Sequence, residues 1–281
     1  MFKRKISRKK FLSALGFAGL GGLGYMRLIE PVFLGVGRHE VKIGKEAKRS
    51  PLKVLQLSDF HASSSVNLDF IAQSIQLGLD QKPDLICITG DFITQKYDRF
   101  EKYAEILKPL VNSAPTFAIL GNHDGGEWVL KHHGYADTSQ VRELISKAGI
   151  TLLHNRAQAI RVHDWDLALV GLGDDWANEC DATAAFAEMP TATTTIVLSH
   201  NPDTKKKLKP YPWDLLLCGH THGGQLCLPL IGTPFAPVKD HRFVQGLHRW
   251  DDRWIHITRG VGNLFGLRFN CPPEVSLLTL V

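Results

Sequence analysis

Five short segments of this 281-residue chain end apolar runs with side chains that ligate metals. They are Asp59-Phe60-His61, Gly90-Asp91, Gly121-Asn122-His123-Asp124, Ser199-His200 and Gly219-His220-Thr221-His222. Besides His123 and Asp124 they supply four imidazoles, two carboxylates and one side-chain amide. That set is enough for two cations that share a carboxylate. A dinuclear centre polarises a phosphoryl oxygen and turns water into hydroxide near neutral pH. The pattern therefore implies hydrolysis of a phosphate ester or anhydride. Oxygen and imidazole ligands without thiolate suit Mn2+, Fe or Zn2+.

Taken singly, each segment has a blander reading. A lone loop histidine is commonly a surface residue, and Gly-Asp after a strand is commonly a turn. Gly-Asn-His-Asp and Gly-His-x-His placed directly after apolar strands are more specific. All five in this order outweigh coincidence.

The elements that must position these residues are legible as alternating strand and helix signals. Val54–Leu57 reads as a strand ending at Ser58-Asp59, Leu85–Thr89 as a buried strand ending at Gly90-Asp91, and Thr116–Leu120 as a third ending at Gly121-Asn122. Between them Leu68, Ile71, Ile75 and Leu79 recur at helical spacing, as do Tyr103, Leu107 and Leu110, then Val141, Leu144, Ile145 and Ala148. The second half is richer in strands, over Leu167–Val170, Ile196–Leu198, Leu215–Cys218, Trp254–Ile257 and Val275–Leu280. Every candidate ligand thus falls at the C-terminal end of a strand, the edge where α/β proteins bind ligands.

The formal net charge is +5, and Lys3, Arg4, Lys5, Arg8, Lys9 and Lys10 account for all of it. The remainder is near neutral, which argues against binding of long nucleic acid. Cys87, Cys180, Cys218, Cys227 and Cys271 are odd in number with no C-x-x-C pair, so no disulfide framework is expected. Residues 1–34 read as a basic leader followed by an apolar membrane anchor or signal segment. Its uncharged run Phe11–Met26 is shorter than the roughly 20 residues of a spanning helix. Ser7-Arg8-Lys9-Lys10-Phe11-Leu12 is similar to a twin-arginine export signal, with Lys9 at the second arginine position. Residues 35–51 read as a linker or a first edge strand, and 52–281 as the folded domain.

The ordered motif set resembles the calcineurin-like metallophosphoesterase superfamily from about Lys53 to the C-terminus. Within it, Gly219-His220-Thr221-His222-Gly223-Gly224-Gln225, Thr258-Arg259-Gly260-Val261-Gly262, Arg268-Phe269, Pro273-Glu274 and the basic leader are similar to a bacterial membrane-associated branch, the YaeI/YkuE-like phosphodiesterases. The resemblance implies an α/β four-layer sandwich, two mixed β-sheets flanked by helices, with the metal site at strand C-terminal ends. It implies that Asp59, His61 and His222 hold one metal, that Asp91 bridges, and that Asn122, His200 and His220 hold the second. It further implies a non-ligand His123 as proton donor to the leaving group, held by Asp124.

Other residues carry less information. Arg259 and Arg268 are read as a clamp for a second phosphate or as salt-bridge partners of Glu274. Asp174 and Asp175 line the rim or form a solvated turn. The loop with Glu127, Trp128, His132 and His133 is read as a cap over the substrate. The expected activity is a metal-dependent phosphodiesterase or pyrophosphatase near the inner membrane, acting as a monomer on a nucleotide-linked lipid such as the lipid A precursor UDP-2,3-diacylglucosamine. The alternatives are an exported, broad-specificity envelope phosphodiesterase and a non-catalytic metal-binding membrane protein.

Overall fold

A computed structural model describes residues 21–43 and 49–281. The basic cluster and most of the apolar run of the leader lie outside the described residues. No helix among the described residues is long and apolar enough to cross a membrane.

Twelve strands form two six-stranded sheets. The first contains β1 (Gly35–Val41), β2 (Leu52–Leu57), β3 (Leu85–Thr89), β4 (Thr116–Ile119), β5 (Thr151–Leu152) and the C-terminal β12 (Glu274–Leu280), in the order β1-β12-β2-β3-β4-β5. The second contains β6 (Arg156–Val162), β7 (Trp165–Gly171), β8 (Thr194–Leu198), β9 (Leu215–Cys218), β10 (Gly246–Trp250) and β11 (Arg253–Ile257), in the order β10-β11-β9-β8-β7-β6. Both sheets are mixed. β2 through β5 run parallel, whereas β12 meets β2 antiparallel. In the second sheet β7, β8, β9 and β11 run parallel between two antiparallel edges. Parallel strands covered on both faces need continuous apolar side chains, and every residue of β3, β4, β8 and β9 is buried.

The helices α1 (Leu68–Leu79), α2 (Phe100–Ser113) and α4 (Ser139–Lys147) cover the outer face of the first sheet, with Ile71, Tyr103, Leu107 and Leu144 in one core with Leu55 and Ile88. Asn67 caps α1 by accepting the amide of Phe70 at 2.8 Å. A short α3 (Glu127–Leu130) follows the Gly121–Asp124 loop, and α5 (Ala182–Ala187) packs on the second sheet. A second core lies between the sheets, where Val54, Cys87 and Ile119 meet Leu169, Leu198 and Leu217. One polar bridge crosses it. The Gln56 amide of β2 donates to the carbonyl of Cys218 at 2.8 Å, and its oxygen lies 2.7 Å from His256 Nδ1.

Of residues 35–51, Gly35–Val41 forms an edge strand. β1 pairs parallel with β12 over seven register positions from Gly35↔Glu274 to Val41↔Leu280, so the sheet begins at Gly35 rather than at Leu52. All five cysteines are free.

Arg268 corrects an expectation. It is fully buried, and its guanidinium donates to the carbonyls of Cys271 at 2.9 Å, Arg259 at 2.8 Å and Gly260 at 3.1 Å, and to that of Gly262. The buried guanidinium is thus engaged by backbone carbonyls rather than open to a substrate phosphate. The side chain instead ties the 259–271 loop into one unit against the Asp59 loop, where Gly262 N–H donates to the Asp59 carbonyl at 2.7 Å. Arg268→Met leaves these carbonyls unpaired and is expected to destabilise the fold by about 3 kcal/mol, read as a lower urea midpoint at unchanged slope.

Candidate functional site

Seven expected ligands and His123 converge where the C-terminal ends of strands from both sheets meet. Asp59 and His61 follow β2, Asp91 follows β3, Asn122 and His123 follow β4, His200 follows β8, and His220 and His222 follow β9. The backbone turns sharply as it leaves each strand. Asp59, His61, Asp91, His220 and His222 all have φ between 49° and 70°. This left-handed region is uncommon for residues with a side chain and clusters at functional sites. Two glycines make the convergence possible. A Cβ at Gly121 would lie 2.2 Å from Asp91 Oδ1, and one at Gly219 would lie 2.0 Å from Ser58 Oγ.

The side chains meet at short range. Asp91 Oδ2 lies 3.1 Å from His200 Nε2 and 3.3 Å from His61 Nε2. The Nε2 atoms of His61 and His222 face each other at 3.0 Å, and His222 Nε2 is 3.5 Å from Asp59 Oδ1. Three overlapping groups have ligand atoms close enough for one ion each: Asp59 with His61 and His222, His61 with Asp91 and His123, and Asp59 with Asp91 and His200. The amide oxygen and nitrogen of Asn122 and Nε2 of His220 are buried without a hydrogen-bond partner among the described residues. Burying polar atoms unpaired costs about 1–3 kcal/mol each. Converging carboxylates, imidazoles and an unpartnered amide therefore fit divalent cations.

The surrounding groups orient these ligands. His200 Nδ1 donates to the Thr89 carbonyl at 2.7 Å, which turns Nε2 toward Asp91. His61 Nδ1 lies 3.2 Å from the Thr94 hydroxyl. Burial works against charge on Asp91, but His200 and His123 outweigh it, and its carboxyl sits well below the usual carboxylate range. Burial lowers the pKa of His220 and of His222 well below the ordinary value, so both rings are neutral, the form that ligates metal.

The expected support of His123 by Asp124 is not what the structure contains. His123 Nδ1 donates to the Thr94 carbonyl at 2.7 Å. The Asp124 carboxylate instead accepts the amides of Phe92 at 2.7 Å, Gly121 at 2.8 Å and Asp91 at 2.9 Å. Asp124 is a clamp between two ligand-bearing loops and does not touch the imidazole. Burial lowers the His123 pKa to about 4, with Asp91 pulling upward.

Arg259 pairs with Glu274 through Nε at 2.8 Å and Nη2 at 2.5 Å, so the salt-bridge alternative describes it better than a phosphate clamp. Asp174 is buried rather than in a solvated turn. Its Oδ1 accepts the amides of Trp176 and Ala177 at 2.8 and 2.9 Å, and burial raises its carboxyl to about 6. Asp175 pairs with Lys207.

Thr94 and Trp176 were not legible as site residues. Trp176 stands edge-on to His220 at 4.3 Å, Trp128 lies 4.9 Å from His123, and the two indoles are 5.4 Å apart. Trp128 belongs to the loop expected as a cap, and its ring packs beside His123 as a wall. For Trp176 the available signal was its place after β7, a strand that ends on the same rim. Thr94 acts through its backbone carbonyl, which no sequence pattern marks.

The sequence pattern of the calcineurin-like phosphoesterases matches residues 52–224, from β2 through His222. Phosphodiesterase YaeI of Escherichia coli K12 is 45% identical over 280 residues, 98% of this chain and 100% of its own length. The metallophosphoesterase YkuE of Bacillus subtilis is 30% identical over 289 residues, 99% of this chain and 98% of its own. UDP-2,3-diacylglucosamine pyrophosphatase LpxG of Chlamydia muridarum is 28% identical and covers 89% of this chain and 90% of its own length. With the two mixed sheets and the cluster of aspartates and histidines at their strand ends, these matches make the chain a member of the calcineurin-like phosphoesterase family, a hydrolase of phosphoester bonds.

Proposed function

We propose that the chain hydrolyses a phosphodiester or pyrophosphate bond of a nucleotide-linked lipid at the inner membrane, as a monomer, with long nucleic acid excluded as substrate. In this reading Asp59, His61 and His222 hold one divalent cation, Asn122, His200 and His220 hold a second, and Asp91 contributes to both. When bound, the cations supply Lewis-acid neutralisation of the phosphate oxygens and a nucleophile at neutral pH. Mn2+, Fe and Zn2+ all suit the donor set. The observation that carries the reading is the unpartnered, buried Asn122 amide in the loop whose His123 N–H donates to Asp91.

The chain's own residues supply the rest. Asn122 adds a neutral ligand, which keeps the site from becoming too anionic for a phosphate. His123 Nδ1 is fixed on the Thr94 carbonyl, so the ring presents its other nitrogen for proton transfer to a departing oxygen. Its depressed pKa keeps the ring neutral at rest, and an anionic phosphate alongside favours the protonated form. Asp124 holds the Asp91 and Gly121 turns at fixed separation.

The nucleotide-lipid class is supported by the name of the LpxG relative and by the apolar run Phe11–Met26 ahead of the domain. The twin-arginine-like Ser7-Arg8-Lys9-Lys10-Phe11-Leu12 favours a second reading, an exported phosphodiesterase of broader specificity.

Two variants separate the roles at the site. Asp91→Ala is expected to abolish both hydrolysis of bis-p-nitrophenyl phosphate and metal retention in elemental analysis. His123→Ala is expected to lower kcat by about 10²–10⁴-fold with metal content kept. Equal metal loss in both variants overturns the division between ligand and proton donor. The substrate reading is tested by incubating Mn2+-loaded protein with UDP-2,3-diacylglucosamine in detergent micelles and following phosphorus NMR. Release of UMP and lipid phosphate is expected. Turnover of the soluble diester alone overturns the lipid substrate and favours the broader phosphodiesterase.

A further inference from the structure

Most of the exposed large apolar side chains among the described residues belong to three segments that lie side by side. The first is the helical stretch 25–33, a π-helical turn over Tyr25–Ile29 followed by a 3-10 turn over Glu30–Val32, which exposes Leu28 and Phe33. The second is the 264–271 loop, which exposes Phe265 at 81% of its surface. The third is a tight hairpin closed by mutual hydrogen bonds between Leu228 and Gly232, 2.7 and 2.8 Å long. Its tip presents Leu230 and Ile231, with Phe235 just beyond.

Hydrogen bonds fix the three segments together, with 264–271 in the middle. Arg268 N–H donates to the Met26 carbonyl at 3.0 Å, Arg27 donates to the Phe265 carbonyl, and Cys271 N–H donates to the Glu30 carboxylate. On the other side Cys227 N–H donates to the Phe269 carbonyl at 2.8 Å, and Gln225 and Leu264 exchange bonds of 2.8 and 2.9 Å. The face also borders the site, since Cys271 Sγ donates to the carbonyl of the candidate ligand His222 at 3.1 Å.

Exposed apolar side chains gathered on hydrogen-bonded neighbouring segments mark an interaction surface. Two features of the chain select its occupant. The uncharged run that begins at Phe11 ends in sequence at Met26, whose carbonyl Arg268 N–H holds on this face, so an apolar medium that takes the run adjoins this side of the body. The six basic residues from Lys3 to Lys10 complement anionic headgroups.

We propose that the Leu230-Ile231 hairpin tip and the Phe265 loop insert into the surface of an anionic bilayer, so that the body docks on lipid by its own contacts in addition to the leader. The site mouth beside His222 then faces the headgroup layer, and a lipid-linked phosphate reaches it from the plane of the membrane. The inference rests on the membrane reading of the proposed function and not on the identity of its substrate.

The test is hydrogen exchange of the full-length, metal-loaded protein with and without vesicles of phosphatidylethanolamine and phosphatidylglycerol. Amides of 228–235 and 264–267 are expected to exchange roughly tenfold more slowly with vesicles. The double variant Leu230→Asp, Ile231→Asp changes only exposed tip residues and is expected to lose this protection and about tenfold in vesicle affinity. Its hydrolysis of bis-p-nitrophenyl phosphate stays at the wild-type level. Vesicle binding without protection of the two loops means attachment by the leader alone and overturns the proposal. So do absence of vesicle binding and protection that rises with protein concentration without lipid, which identifies a second copy as the occupant. Soluble diester turnover in the same samples reports on the phosphoesterase reading separately.

Discussion

A carboxylate with no access to water needs positive charge or N–H donors around it, and Asp91 sets the positions of its neighbours for that reason. Its Oδ2 faces His200 and His61, and its Oδ1 accepts the backbone amide of His123 at 2.9 Å. The first two groups come from different sheets, so satisfying one side chain draws the β3, β8 and β2 ends together. Asp59 plays the same part across the seam. Both its oxygens accept the amide of His220, at 3.0 and 3.2 Å, which anchors the β9 loop on the β2 loop. The catalytic geometry is therefore a consequence of solvating two buried acids with groups that themselves ligate cations.

The buried half of the fold was legible in the sequence. Leu85–Ile88 and Leu215–Cys218 are apolar throughout, and the strands occupy Leu85–Thr89 and Leu215–Cys218. The helix faces at Ile71, Leu107 and Leu144 were legible because each packs one stripe on a sheet. The edges were not. β6 exposes several of its seven residues, and β10 is only partly covered, so neither carries a strong apolar signal. β1 is equally polar and is fixed mainly by its backbone pairing with β12. A helix as short as α5 offers too few turns for a period to show.

The same division runs through the site. Side chains with ligand chemistry could be read from type and spacing, and Asp59, His61, Asp91, His200 and His222 lie within reach of one another. Roles that depend on direction could not. Asp124 neighbours His123 in sequence, yet its side chain folds back to accept the amide of Gly121, three residues earlier. That bond closes the turn that Gly121 starts, beside the backbone bond from Asp124 N–H to the Gly121 carbonyl at 3.2 Å. Arg268 looked like a phosphate ligand because a guanidinium suits an anion. Carbonyls gathered at a loop's turn compete for the same donors, and burial makes their claim prevail.

The left-handed backbone at Asp59, His61, Asp91, His220 and His222 costs about 1–3 kcal/mol at each residue. Such strain persists only where the surroundings over-determine it, and the hydrogen bonds around each turn do so. Asp59 N–H donates to the Gly90 carbonyl at 2.9 Å and His61 N–H to the Asp91 carbonyl at 3.0 Å. These two bonds stitch the β2 loop to the β3 loop along the site floor. Strands held in the core on one side and stitched loops on the other leave the ligand atoms little freedom before any cation arrives. Preorganisation of this kind places the reorganisation cost in folding rather than in each turnover. The wall of half-buried Trp128 and exposed Trp176 and the apolar hairpin beyond His222 lie outside this stitched floor. Substrate choice can therefore vary at the rim while the hydrolytic geometry beneath it stays fixed.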